Sequence, residues 1–149
     1  MPHFGLMDNR DSFEKEEGAL LRARLHIRGG KRRLRQGKIS SGIVTLYDAL
    51  LFALRWYVTS PERRKALSVR KEDDLKDEKI VLDILRRSKV LASDFDYAAF
   101  DALVDKALKE EMPDYDYSGM LRDFEVFMTG LGVMPFDEAE LPPEDPATF

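Results

Sequence analysis

The residues in this chain whose types and spacing are best suited to chemistry are cations. Arg22, Arg24, Arg28, Lys31, Arg32, Arg33, Arg35 and Lys38 fall in one stretch, with His26 among them and no acid between Arg22 and Lys38. A face this dense in positive charge attracts phosphates, and counterion release makes such binding weaken with salt. A polyanion- or RNA-binding module using residues 22–38 is therefore one reading. The stretch lacks the interleaved aromatic side chains on which single-stranded bases stack. The plainer reading, preferred on that ground, is a helix flank whose charge is met by acids elsewhere in the chain.

Other reactive types are thinner. Asp48 and Arg55, with Tyr47 or Tyr57, would make an enzyme only if they converged in one pocket with perturbed titration. Asp94, Asp96, Asp101 and Asp105 are carboxylates that in principle bind a cation, and Asp101 and Asp105 share a helix face. Their plainer role is solvent-facing charge, with Asp94 near a helix start. Asp114-Tyr115-Asp116-Tyr117 reads as a capping turn whose tyrosines suit a contact surface. His3 and His26 are the only histidines, too few for a metal site, and His26 lies among arginines that repel a cation. No HExxH, phosphate-binding Gly-Lys-Ser/Thr loop or GxSxG elbow is present, and Gly29-Gly30-Lys31 does not make one. With no cysteine, the chain has no disulfide, thiol nucleophile or thiolate metal site. No catalytic residue, metal or cofactor is expected.

The element that must organise these residues is Ile39–Val58, ISSGIVTLYDALLFALRWYV. Read as a helix it is apolar on most sides, with Ser41, Thr45, Asp48, Arg55 and Thr59 on one narrow stripe and Phe52 inside it. A membrane span needs about 20 mostly apolar residues with few charges. Asp48 and Arg55 interrupt this run, so it reads as the central helix of a soluble bundle, its polar stripe facing solvent. No membrane contact is expected.

Around it, Asp11 and Glu14 form a capping-box signature that starts a first helix, Phe13 to Gln36, closed by Gly37. Gly29-Gly30 in its middle predicts either a kink or a close neighbour. The short link makes the first two helices antiparallel neighbours. Ser60-Pro61 ends the second, and residues 61–73 form a charged connection with room for one helical turn. A third helix is predicted over Asp74–Leu91, with Leu75, Leu82, Leu85 and Ile84 inward. A fourth covers Phe95–Met112, with Phe95, Ala99, Phe100, Leu103, Ala107 and Leu108 as its apolar face. A fifth covers Gly119–Gly130, presenting Met120, Leu121, Phe124, Phe127 and Met128. No strand pattern of useful length and no repeat of fixed period appears.

The 149 residues suit one domain, and the charged and apolar shares of 35% and 44% fit a globular chain. The net charge of −4 hides a split: residues 1–70 hold 15 Lys/Arg against 7 Asp/Glu, and residues 71–149 hold 9 against 21. Halves of +8 and −12 attract each other, on folding or across a dimer. The N-terminal residues lack the apolar run of a signal peptide, and the absence of cysteine suits a reducing cytoplasm.

The segment LRQGKISSGIVTLYDALLFALRWYV resembles the first helical hairpin of HEPN domains, in which a charged helix, a Gly-containing turn and an Ala/Tyr/Leu-rich helix follow one another. The resemblance spans residues 13–92 and is one of pattern. Catalytic HEPN members resemble metal-independent ribonucleases with an Arg–His pair spaced more widely than Arg22 and His26, so no catalytic residue carries over. The resemblance implies a non-catalytic helical domain, often a homodimer and sometimes paired with a nucleotidyltransferase-type partner.

The sequence thus predicts an all-α, single-domain bundle of about five helices. An arm would cover residues 1–10, the bundle 11–134, and an extended acidic, Pro-rich tail 135–149. The preferred function is protein–protein contact, as a homodimer or with another protein. Nucleic-acid binding through residues 22–38 and an enzyme with a polar pocket near Asp48 and Arg55 are the alternatives.

Overall fold

The structure, a computed structural model, describes residues 9–91 and 95–148, with side chains from Glu17 to Ala147. His3, Asp94 and the side chains of Asp11 and Glu14 lie outside the described residues. Among the described residues six α-helices follow in order: α1 Asn9–Arg35, α2 Ile39–Thr59, α3 Pro61–Lys65, α4 Glu78–Arg87, α5 Tyr97–Lys109 and α6 Ser118–Leu131. Two 3-10 turns, Glu138–Glu140 and Pro146–Thr148, complete the all-α bundle, and there is no strand among the described residues. Every substantial helix–helix contact among them involves α2.

The hairpin of α1 and α2 is set by glycines. Gly37 adopts φ 81°, a left-handed conformation that costs a residue with a Cβ. Around it, Lys38 N–H donates to the Arg33 carbonyl at 2.9 Å and Gly37 N–H to the Leu34 carbonyl at 3.1 Å, the paired bonds of a Schellman turn. Gly29-Gly30 does not break α1, which runs through both. Gly30 serves close approach instead: a Cβ there would lie 2.8 Å from Leu46 Cδ2 and 3.2 Å from the Gly42 carbonyl oxygen. Gly42 is the reciprocal position, 2.8 Å from Leu34 Cδ2 and 3.0 Å from the Gly30 carbonyl oxygen. The two backbones meet where neither carries a side chain.

The core forms from Ala19, Ala23, Ile27 and Leu34 of α1, eleven buried positions of α2, and the inner faces of α4 to α6. Phe95, Phe100, Phe124 and Phe127 form an aromatic chain with centroid separations of 4.6 to 5.9 Å. Buried Ser40 donates to the Glu110 carbonyl at 2.6 Å, tying the start of α2 to the end of α5.

Several element boundaries differ from expectation. Asn9 and Arg10, read as arm, are helical. The third predicted helix is shorter, Glu78–Arg87. Asp74 accepts from Lys76 N–H and holds a turn, leaving Asp77 as N-cap through Lys79 N–H, and Lys89 at φ 61° ends it. The fourth starts at Tyr97, where Asp96 accepts from Ala99 N–H at 3.0 Å. Its face is rotated: Tyr97, Phe100, Val104 and Ala107 are buried, while Leu108 is 65% exposed and Ala99 points to solvent. A competing apolar stripe was available on α5, and packing against α2, with Phe100 against Phe124 of α6, selected it.

α2 is also less enclosed than its apolar circumference suggests. Val44, Tyr47, Asp48, Leu51, Phe52 and Tyr57 are half-buried, and Arg55 is exposed. By length and composition alone α2 is long and apolar enough to cross a membrane, and 56% of that window is buried inside the bundle. Residues 136–144 lie along α1, through contacts described next.

Candidate binding faces of the helical hairpin

At about 100° per residue the basic run cannot occupy one face of α1. The buried stripe of Ala19, Ala23, Ile27, Gly30 and Leu34 divides it into two flanks. Arg24, Arg28, Lys31 and Arg32 lie on one, and Arg22, His26 and Arg33 on the other.

The first flank is committed within the molecule. Arg24 Nε donates to the Val133 carbonyl at 3.0 Å, and its guanidinium lies 5.5 Å from the Phe136 ring centroid. Arg28 Nη2 donates to the Pro142 carbonyl at 2.7 Å. Lys31 pairs with Glu125 of α6 at 3.0 Å. Arg32, 8% exposed, pairs with Glu144 at 2.8 Å and donates to Gln36 at 3.1 Å, and Arg28 Nε stands 3.6 Å from the same Glu144. The basic flank therefore holds down the acidic tail and α6. Arg35 and Lys38 are exposed.

The second flank meets the polar stripe of α2. Arg33 Nη1 donates to Thr45 Oγ1 at 3.2 Å. His26 Nδ1 is 2.8 Å from the Arg22 carbonyl, and its ring is 5.2 Å from that of Phe52. Arg22 and Arg55 place their guanidinium carbons 5.9 and 5.4 Å from the Phe52 centroid. The aromatic that the basic run lacks in sequence is thus supplied by the neighbouring helix, and its partners are cations.

Asp48, Arg55, Tyr47 and Tyr57 do not converge. Tyr47 turns to the far side of α2, where its hydroxyl and that of Tyr97 lie 3.4 and 3.2 Å from Glu78 Oε1. Both phenols are raised above the ordinary tyrosine range, first by burial. For Tyr47 the next cause is the Glu78 charge; for Tyr97 it is Tyr47 and then Glu78. Beside them a cleft of about 660 Å³ has Leu51, Leu54, Val58, Leu75 and Val81 as its apolar lining, with Arg55 and Glu78 among its polar groups, but neither Asp48 nor Tyr57 lines it. The network of Tyr47, Tyr97 and Glu78 was missed in sequence, since its members come from three helices.

The acids have structural roles where roles are visible. Asp96 caps α5, and Asp116 accepts from Ser118 N–H and Oγ at the start of α6, which holds its carboxyl below the usual range. Asp101 and Asp105 sit on α5, half-buried and exposed respectively. Among the described residues, no group of three or more His, Asp or Glu side chains is placed to hold a metal ion. Arg63, which the sequence did not single out, donates to the Trp56 and Tyr57 carbonyls at 2.8 and 3.1 Å and stacks 3.9 Å from the Trp56 ring centroid, closing the end of α2.

Comparison with family models, with curated proteins and with solved structures gave no match for this chain.

Proposed function

We propose that this chain is a non-catalytic helical bundle that acts through protein contacts, with a second copy of itself as the partner. The observation that carries the reading is the surplus on α2: Val44, Tyr47, Leu51 and Phe52 remain half-buried on the helix that forms the centre of the fold. A helix apolar nearly all round is normally enclosed, so side chains it leaves partly open to solvent offer a seam for a second chain to cover. The likeness to a non-catalytic HEPN-type hairpin, and a cytoplasmic setting, belong to the same proposal. Light scattering over a concentration series tests it: a mass of two chains is expected, and a single-chain mass throughout overturns self-association.

A second reading rests on the outer flank. Arg22 and Arg55 with His26 surround Phe52, and Arg33 reaches Thr45 of the same helix; together they make a cationic flank that suits a phosphate-bearing polymer. Binding of RNA that falls steeply with added salt supports it; binding indifferent to salt rejects it.

A further inference from the structure

We infer that two copies pair through α2, antiparallel and about a two-fold axis that crosses between Leu51 and Phe52. This rests on the self-association proposed above and names its surface and register.

The argument starts from spacing. Ser41, Asp48 and Arg55 recur every seven residues along the outer side of α2, with Val44/Thr45, Leu51/Phe52 and Val58/Thr59 between them. That is the seam of a helix prepared to lie along another helix. Of these residues, Val44, Thr45, Asp48, Leu51, Phe52 and Thr59 are half-buried in the single chain, so the seam is only partly covered by its own bundle.

The charges then select the direction. A closed two-fold interface requires that the same patch complement itself, residue i meeting j while j meets i. Parallel helices would set Asp48 against Asp48 and Arg55 against Arg55. Antiparallel helices crossing between Leu51 and Phe52 set Asp48 of each copy opposite Arg55 of the other, twice, with Leu51 and Phe52 at the centre and Val44 opposite Thr59. The patch carries one acid and one base at equal distances from its midpoint, which is what a two-fold antiparallel pair needs.

Shape agrees with charge. The cleft of about 660 Å³ lies beside the seam, at the level of Leu51, Leu54, Arg55 and Val58. In this register the partner residues at that level are those from Thr45 to Phe52. Val44 of one copy then lies over the rim of the other's cleft at Thr59, beside the Asp48–Arg55 pair.

The flanking charges must also be counted. A two-fold perpendicular to the helices puts α1 of both copies on the same side, so Arg22, His26 and Arg33 of each copy approach their counterparts. Salt relieves that repulsion and screens the ion pairs together, so salt dependence does not diagnose the pairing. Charge exchange does.

The test compares Asp48→Arg, Arg55→Asp and the double exchange Asp48→Arg/Arg55→Asp by sedimentation, with circular dichroism to confirm helical content. Each single exchange places like charges opposite each other twice and should weaken the dimer at least ~10-fold; the double exchange should return the dissociation constant to within about 3-fold of the original. A dimer indifferent to both single exchanges, or a double exchange that fails to recover, overturns this register while leaving self-association standing. A parent chain that stays monomeric removes both. Because the chain has no cysteine, direction can be read separately. Mixed Asp48→Cys and Arg55→Cys chains should cross-link to each other on oxidation, and neither should cross-link alone. Cross-linking of either variant with itself means a parallel pair and overturns the inference.

Discussion

Whether a single methyl group stabilises α1 depends on where along the helix it is placed. At Gly18 an added Cβ meets nothing within 4 Å. Gly18→Ala should therefore gain the helix-propensity difference, about 0.5–1 kcal/mol. At Gly30 and Gly42 the same atom enters Leu46 or Leu34 at 2.8 Å and also presses a backbone carbonyl oxygen of the facing helix. Neither leucine can retreat, since both are buried. Gly30→Ala and Gly42→Ala should lose about 1–3 kcal/mol, the cost of overpacking. Denaturant unfolding of the three variants checks the opposite signs. The phenols make a second prediction at this scale. Tyr47 and Tyr97 bind their protons more tightly folded than unfolded, because burial and neighbouring negative charge oppose the phenolate. Their contribution is therefore complete below the unfolded tyrosine value near 10 and is lost as the pH climbs above it. Tyr97→Phe should flatten the alkaline decline of stability, read as unfolding free energy against pH from 9 upward.

Between elements, the decisive contact is the tail on α1. Glu144 engages Arg32 at 2.8 Å and stands 3.6 Å from Arg28, with side chains that are only 9–19% exposed. Hydrogen bonds to charged groups are worth about 1.5–3 kcal/mol when partly buried. Glu144→Gln keeps shape and loses charge, and should cost about 1–2 kcal/mol by thermal or denaturant unfolding at low salt. The loop between α3 and α4 has its own anchor. Arg87 donates to the Ser68 carbonyl and to Asp73 and Asp83. Asp73 is held below the carboxylate range, first by the Arg70 backbone N–H and then by Arg87. A depressed carboxylate stabilises above its unfolded value and loses that contribution as pH falls through the folded one. Arg87→Ala should therefore raise amide exchange in residues 66–77 at neutral pH. Acidification should do the same in the parent chain.

For the whole molecule, part of the split between a basic first half and an acidic second half is met internally, where Arg28, Arg32 and Lys31 meet Glu144 and Glu125. Removing residues 135–149 takes away Glu144 and the Pro142 carbonyl and uncovers Arg28 and Arg32. The shortened chain, if circular dichroism shows it helical, should be retained more strongly than the parent on a polyanion matrix at low salt and released as salt rises. Equal retention of the two chains would mean that the tail does not mask the basic flank. The same logic explains how the cationic run was legible as a feature while its use was not. The run gives charge and position, but the partners of Lys31 and Arg32 stand 94 and 112 residues away.

The chain by itself determined its helical class, the central place of α2 and the Gly37 turn. Each of these depends on neighbours a few residues apart, where periodicity and capping are set. Only tertiary structure decided which flank of α1 met the tail, that Gly30 faces Gly42, that α5 buries Val104 and exposes Leu108, and that Tyr47 joins Tyr97 and Glu78 instead of Asp48. Those outcomes depend on which of several compatible faces packs best against distant elements. That choice is made by volume and charge complementarity between helices, and no local pattern records it.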